Sequence, residues 1–182
     1  GYQIGPITGI GEARGFNYLL MTGMHAASGT DGFLPHTLTS KFSGILVNDE
    51  PLTEAELFAA SVAPAGLVPT FFSGCEIACR QAARVIKNIK TFTVNKPLAE
   101  TPQQIRENLA HAAVSSLSGG SERLFIPDGP FNVAVKMRDG EKAAAGLRKT
   151  WKFPGEGDEL HFSCDNIHTL YWQLVRLAYL TP

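Results

Sequence analysis

The sequence has no surplus of charge of either sign. Sixteen Lys and Arg stand against seventeen Asp and Glu in 182 residues. That balance supplies no basic stripe for nucleic acid and no charged tail. No apolar run is long enough to span a bilayer, because polar residues, Gly or Pro interrupt every one. The opening GYQIGPITGIG lacks a basic n-region and an apolar h-region, so it does not read as a secretory signal. It also lacks an initiator Met, which suggests a processed chain or part of something longer. Cysteine is scarce, with three in all. Cys75 and Cys79 are four apart, which is not the CxxC spacing of a redox or zinc knuckle. They read as small buried hydrophobes on one helix face, and this cysteine usage points to a cytoplasmic protein. The length suits a single domain over 1–182 with room for a real core.

Apolar periodicity sets out the elements. Phe16 to Met24 reads as a buried strand, and Phe42 to Val47 as another, ended by the turn-like Asn48-Asp49. Thr53 and Glu56 have the spacing of a capping box. Ala55, Phe58, Ala59 and Val62 then give one apolar helix face. Leu67 to Phe72 reads as a strand, with Pro69 placing it near an edge or a bulge. Cys75 to Ile89 reads as a helix and Lys90 to Asn95 as a short strand. Thr101-Pro102, with Gln104, opens a helix to about Leu117, followed by a loop at Ser118–Ser121. Phe131 to Met137 alternates as a strand, and Asp139-Gly140 turns it into a short helical stretch. Leu160 to Cys164 reads as the last strand, and Asp165 as the cap of a final helix. Strands alternating with helices predict an α/β fold, a mixed sheet with flanking helices.

Three residues stand out against this frame. His25 directly follows the first strand, and ligands of α/β sheets bind beyond the carboxyl ends of strands. Ser28, Gly29, Thr30, Asp31 and Gly32 make a loop of low bulk, and Leu34-Pro35 turns the chain before His36. Glu54 lies at the margin of a buried helix face, whereas Glu56 is already engaged by the cap. A carboxylate there must be solvated, paired or bound to a cation, because burying it alone costs several kcal/mol. Imidazole and carboxylate suit zinc, whose bound water can attack an amide carbonyl. A second imidazole could shuttle the proton. Each residue also has a bland reading, as a hydrogen-bonded structural histidine or a solvent-facing glutamate. His111, His161 and His168 read as structural or surface residues.

GMHAASGTDGFLPHTL, LVNDEPLTEAELFAA and GLVPTFFSG together resemble the zinc-dependent D-aminopeptidases of the bacterial dipeptide-transport operon. That family carries a Gly-aromatic-His-Ala segment, a second His eleven residues on, and an Asn-Asp-x-Pro turn leading to a Glu. Here His25 to His36 is eleven residues and His36 to Glu54 is eighteen, without a gap. NKPLAETPQQIRENL and GDELHFSCDNIHTLYWQLVRLAYL look like the family's closing region. The resemblance implies that His25 and Glu54 are zinc ligands. It implies that His36 is catalytic, as nucleophile or proton-transfer group. It further implies two zinc ions, hydrolysis of an N-terminal D-residue from short peptides, and a homo-oligomeric ring.

The match covers the family's C-terminal two-thirds. The family's first third carries an Asp-x-Glu and a further His that complete the zinc site. Residues 1–24 offer only Glu12 as an acid. The fold is therefore expected to be incomplete without an N-terminal segment or partner chain supplying those ligands, whether cleaved or separate. Ala26-Ala27 also stand where the family often has a basic residue, which leaves open the preference for an anionic substrate group. Two alternatives accompany the hydrolase reading. One is a non-catalytic scaffolding subunit of the same fold, and the other is a hydrolase of a different small amide or ester.

Overall fold

Parallel and antiparallel strands segregate into separate sheets in the computed structural model, which describes Ala13 and residues 15–94 and 100–180. The opening segment through Glu12, and Asn95 at the end of the expected fifth strand, lie outside the described residues. The α/β class read from the sequence is found, with its two strand types kept apart. The described residues fall into two compact units.

The first unit holds the described residues up to Ala26, with Asp31–Leu34 and Thr53–Ile126. Its strands are β1 (Tyr18–Met24), β4 (Val68–Gly74) and β5 (Lys90–Thr93), in the order β1-β4-β5 and all parallel. Its helices are α1 (Glu54–Val62), α2 (Glu76–Val85) and α3 (Pro102–Gly119). Phe72 of β4 packs with Ala55 and Ala59 of α1 and with Ala78 and Ala82 of α2. Small helix residues let both helices approach the sheet closely.

Both capping boxes form. Thr53 and Glu56 exchange hydrogen bonds at the start of α1, and Thr101 and Gln104 do so at the start of α3. Three expectations need correction here, those for β1, α2 and α3. β1 is not a buried strand: only Met21 is fully buried, while Tyr18 and Leu20 are exposed. The reason is its position at the end of the strand order, with β4 as its one partner among the described residues. β4 is the central strand, and of the edge or bulge expected from Pro69 it is the bulge that is found. Pro69 is accommodated there by a bulge, since Leu19 pairs with Pro69 and Leu20 with Phe71, which skips Thr70. α2 stops at Val85 rather than Ile89, because Ile86 takes extended angles and Asn88 a left-handed φ of 64°. α3 runs on to Gly119, so the Ser118–Ser121 loop starts later than expected.

The second unit holds Ala27–Thr30, Pro35–Leu52 and the described residues from Pro127. Its antiparallel sheet comprises β2 (Phe42–Val47), β3 (Glu50–Pro51), β6 (Phe131–Met137) and β7 (Glu159–Cys164), in the order β3-β2-β6-β7. In β6, Phe131, Val133, Val135 and Met137 are buried while Asn132 and Lys136 are exposed. That two-residue period is the signature of a half-buried strand. The helices are α4 (Gly140–Trp151) and α5 (Ile167–Tyr179), and Leu170, Leu174 and Ala178 of α5 are buried. The α5 cap is Asn166, whose side chain accepts from the Thr169 amide at 2.9 Å, and not Asp165. No helix of the described residues is long and apolar enough to cross a membrane.

Candidate active site

In the first unit, β1, β4 and β5 all point their carboxyl ends the same way. A cavity of about 370 Å³ opens there, walled by His25 and Met24, by Asp31 and Phe33, and by Cys75 to Ile77. Such crevices are where ligands of parallel sheets bind. Gly74 permits the close approach of β1 and β4. A Cβ at that position would stand 2.4 Å from the Met24 carbonyl oxygen.

His25 is the first residue beyond β1 and is half-buried. Its Nδ1 lies 3.0 Å from the Phe33 carbonyl oxygen. A carbonyl can only accept, so Nδ1 carries the hydrogen, and in the neutral ring Nε2 then carries the lone pair. The Phe33 ring stacks on the imidazole, with centroids 6.3 Å apart and planes inclined by 21°. The Phe33 amide in turn donates to Cys75 Sγ at 3.4 Å. Cys75 is thus a half-buried wall residue at the N-cap of α2, not the buried helix-face hydrophobe the sequence suggested. Cys79 and Cys164 are buried as expected. Burial pushes the Cys79 thiol up, and it donates to the Gly74 and Phe92 carbonyls. Burial also raises the Cys164 thiol, with Asp165 adding to the effect.

Glu54 opens α1 in the same unit and is half-buried. The Glu56 carboxylate is committed to the cap, accepting from the Thr53 amide at 3.0 Å and from Thr53 Oγ1 at 2.7 Å. Glu54 therefore stands apart from the capping box. The chain neighbours of His25 and Glu54, Ala26 and Ala55, belong to one buried cluster.

His36 belongs to the second unit and is half-buried. The residue after it is fully buried and held on several sides. The Thr37 amide donates to Ser28 Oγ at 2.8 Å, and the Ser28 amide donates to Thr37 Oγ1 at 3.2 Å. Thr37 Oγ1 donates to the Leu52 carbonyl at 2.9 Å. Leu34 and Leu38, on either side of His36, take left-handed φ values of 46° and 63°. Tyr179 of α5 donates its hydroxyl to the Leu38 carbonyl. The small residues of the loop are thus not idle, since Ser28 fixes the backbone beside His36. Sequence reasoning missed Ser28, Thr37, Phe33 and Cys75. The hydroxyls nine residues apart were the available signal.

An imidazole with a fixed tautomer and a half-buried carboxylate fit the donor chemistry of zinc. Among the described residues, however, no three His, Cys, Asp or Glu side chains form a group that could hold a metal ion. His25 and Glu54 would therefore supply part of a coordination sphere rather than all of it.

A family model described as D-aminopeptidase matches residues 5–174. Among solved structures, the chain is similar to the Zn-dependent D-aminopeptidase DppA from Bacillus subtilis, described as a self-compartmentalizing protease. The TM-score is 0.79 at 16% identity, covering 96% of this chain and 67% of that chain. A likeness at that identity concerns the fold. No curated protein matches the sequence.

Proposed function

The chain belongs to the D-aminopeptidase family of peptidases and is thereby a hydrolase; we propose that it cleaves the amide bond after the N-terminal D-residue of short peptides in a zinc-dependent reaction. The observation that carries the zinc reading is the contact of His25 Nδ1 with the Phe33 carbonyl at the mouth of a cavity beyond the strand ends. It turns Nε2 into the ligating nitrogen, the arrangement that orients metal-bound histidines.

In this reading His25 and Glu54 hold the metal. When bound, zinc supplies Lewis acidity toward the amide carbonyl and a water activated near neutral pH. His36 serves as nucleophile or proton-transfer group, because an imidazole both takes and gives a proton near neutrality. The hydrogen bonds of Thr37 fix the backbone that carries it. Two zinc ions would complete the site, with the remaining ligands supplied by a second polypeptide or a cleaved N-terminal segment bearing Asp-x-Glu and a His. A homo-oligomer in the cytoplasm completes the proposal. Its supports are the self-compartmentalizing character of DppA and the three free cysteines of this chain.

Purification of the native species tests this directly, with every polypeptide sequenced and metal measured. The proposal expects zinc together with Asp-x-Glu and His residues additional to these 182. A pure, metal-free species of this chain that hydrolyses no D-aminoacyl peptide would overturn it and favour the scaffolding role.

A further inference from the structure

We infer that the cavity beside His25 receives the amino end of the substrate. An apolar N-terminal side chain lies against Met24, Ile77 and Val94, and its α-ammonium lies near Asp31 and Glu76. This assignment rests on the proposed role of His25 as a metal ligand. If His25 holds the metal, the scissile carbonyl lies beside it, and both arms of the cleaved amide start there. The cavity therefore takes one of those two arms, and its walls decide which.

Charge decides first. The cavity measures about 370 Å³, near the small end of the range of about 300–1,000 Å³ for ligand pockets, and suits one end of a short peptide. Its described lining holds two carboxylates, Asp31 and Glu76, and no Lys or Arg. The amino end of α2 lies in the same wall and alone would draw an anion. Glu76 stands in the first turn of α2 and offsets that pull. Asp31 then leaves the wall negative. The carboxylate at the far end of a short peptide is repelled there, and the α-ammonium at its amino end is attracted.

The rest of the wall is hydrocarbon. Phe33 is already stacked on His25, which leaves Met24, Ile77 and Val94 for a side chain. Met24 and Ile77 are half-buried and pack against the cluster around Phe72. The strand ends between them are tied together. The Val94 amide donates to the Gly74 carbonyl at 2.8 Å, and the Gly23 amide donates to Ser73 Oγ at 3.1 Å. The walls are thus set before a ligand arrives, and their open sides are apolar surface that a hydrocarbon side chain covers.

Calorimetry on the native, metal-loaded species tests this with three alcohols that cannot be hydrolysed. They are D-leucinol, D-alaninol and isohexanol, which is leucinol without its amine. D-Leucinol is expected to bind about tenfold more tightly than D-alaninol, since each fully buried methylene contributes about fourfold. Ile77→Ala is expected to narrow that ratio to about threefold. Asp31 and Glu76 are exposed, so replacing both by their amides leaves the packing alone. The Asp31→Asn, Glu76→Gln double variant is expected to weaken D-leucinol about fivefold, the scale of exposed ion pairs, and to leave isohexanol unchanged.

Three results overturn the subsite: D-alaninol binding as tightly as D-leucinol, isohexanol doing so, or an equal loss of both leucine-shaped ligands in the double variant. Any of these, with zinc lost from His25→Ala, overturns the subsite alone. Native zinc content in His25→Ala overturns the ligand reading, and the assignment of the cavity with it.

Discussion

Ser28 and Thr37 clasp each other across the loop before β2, each side-chain oxygen accepting the other residue's amide, at 2.8 and 3.2 Å. Both residues are buried, and Thr37 is 0% exposed. His36 is bonded directly to one half of this clasp. Thr37→Val keeps the shape and removes the hydroxyl. It leaves the Ser28 amide and the Leu52 carbonyl without that partner. An unsatisfied buried group costs about 1–3 kcal/mol. A urea titration is expected to show a loss of that size, and turnover should fall with it because the His36 backbone loosens. A native midpoint and native turnover in Thr37→Val would show that the clasp carries no weight.

Glu54 and Glu56 are two residues apart and are expected to fail in opposite ways. Glu56→Ala breaks the capping box, and loss of a cap costs about 0.5–2 kcal/mol of stability. Its zinc content should not change. Glu54→Gln keeps the capping box and removes a ligand charge, so zinc content should fall. Metal analysis and chemical denaturation on both variants check the pair. A fall in zinc for Glu56→Ala, with none for Glu54→Gln, would exchange their roles.

The thiols give a prediction with a definite pH sense. Burial raises the Cys79 and Cys164 thiols, so the folded chain keeps those protons to higher pH than the unfolded chain does. Their contribution to stability is fully present below the ordinary thiol range and is lost as pH rises through the folded values. Stability should therefore decline on the alkaline side. Alkylation under native conditions should mark half-buried Cys75 first and leave the other two for denaturant. Mass spectrometry of the modified peptides reads the order, and equal labelling of all three would refute it.

Local chemistry explains which elements the sequence revealed. β6 alternates cleanly because one of its faces is buried, and β2 was legible to the residue. α1 and α3 announce themselves through capping boxes, which are short-range and depend on four residues each. The exposure of β1 depends on its place in the strand order, which no local pattern encodes. Pro69 pointed to an edge or a bulge, and only its pairing with β1 selects the bulge. Asp165 and Asn166 are both good caps by type, and only the backbone angles at Asn166 select it.

The site divides along the same line. His25 stands out in the sequence because it follows a strand, and Glu54 because the cap already uses Glu56. The contact of His25 with the Phe33 carbonyl, and the cluster shared by the neighbouring Ala26 and Ala55, come from long-range packing. Cys75 reads as a helix-face hydrophobe in sequence, because its contact with the Phe33 amide comes from a loop 42 residues away.

Zinc stoichiometry of the purified native species, measured side by side for the unaltered chain, His25→Ala and His36→Ala, probes the account at its centre. The account predicts that His25→Ala loses zinc, while His36→Ala keeps the native amount and loses turnover. Equal zinc in all three, with His36→Ala still active, would contradict it.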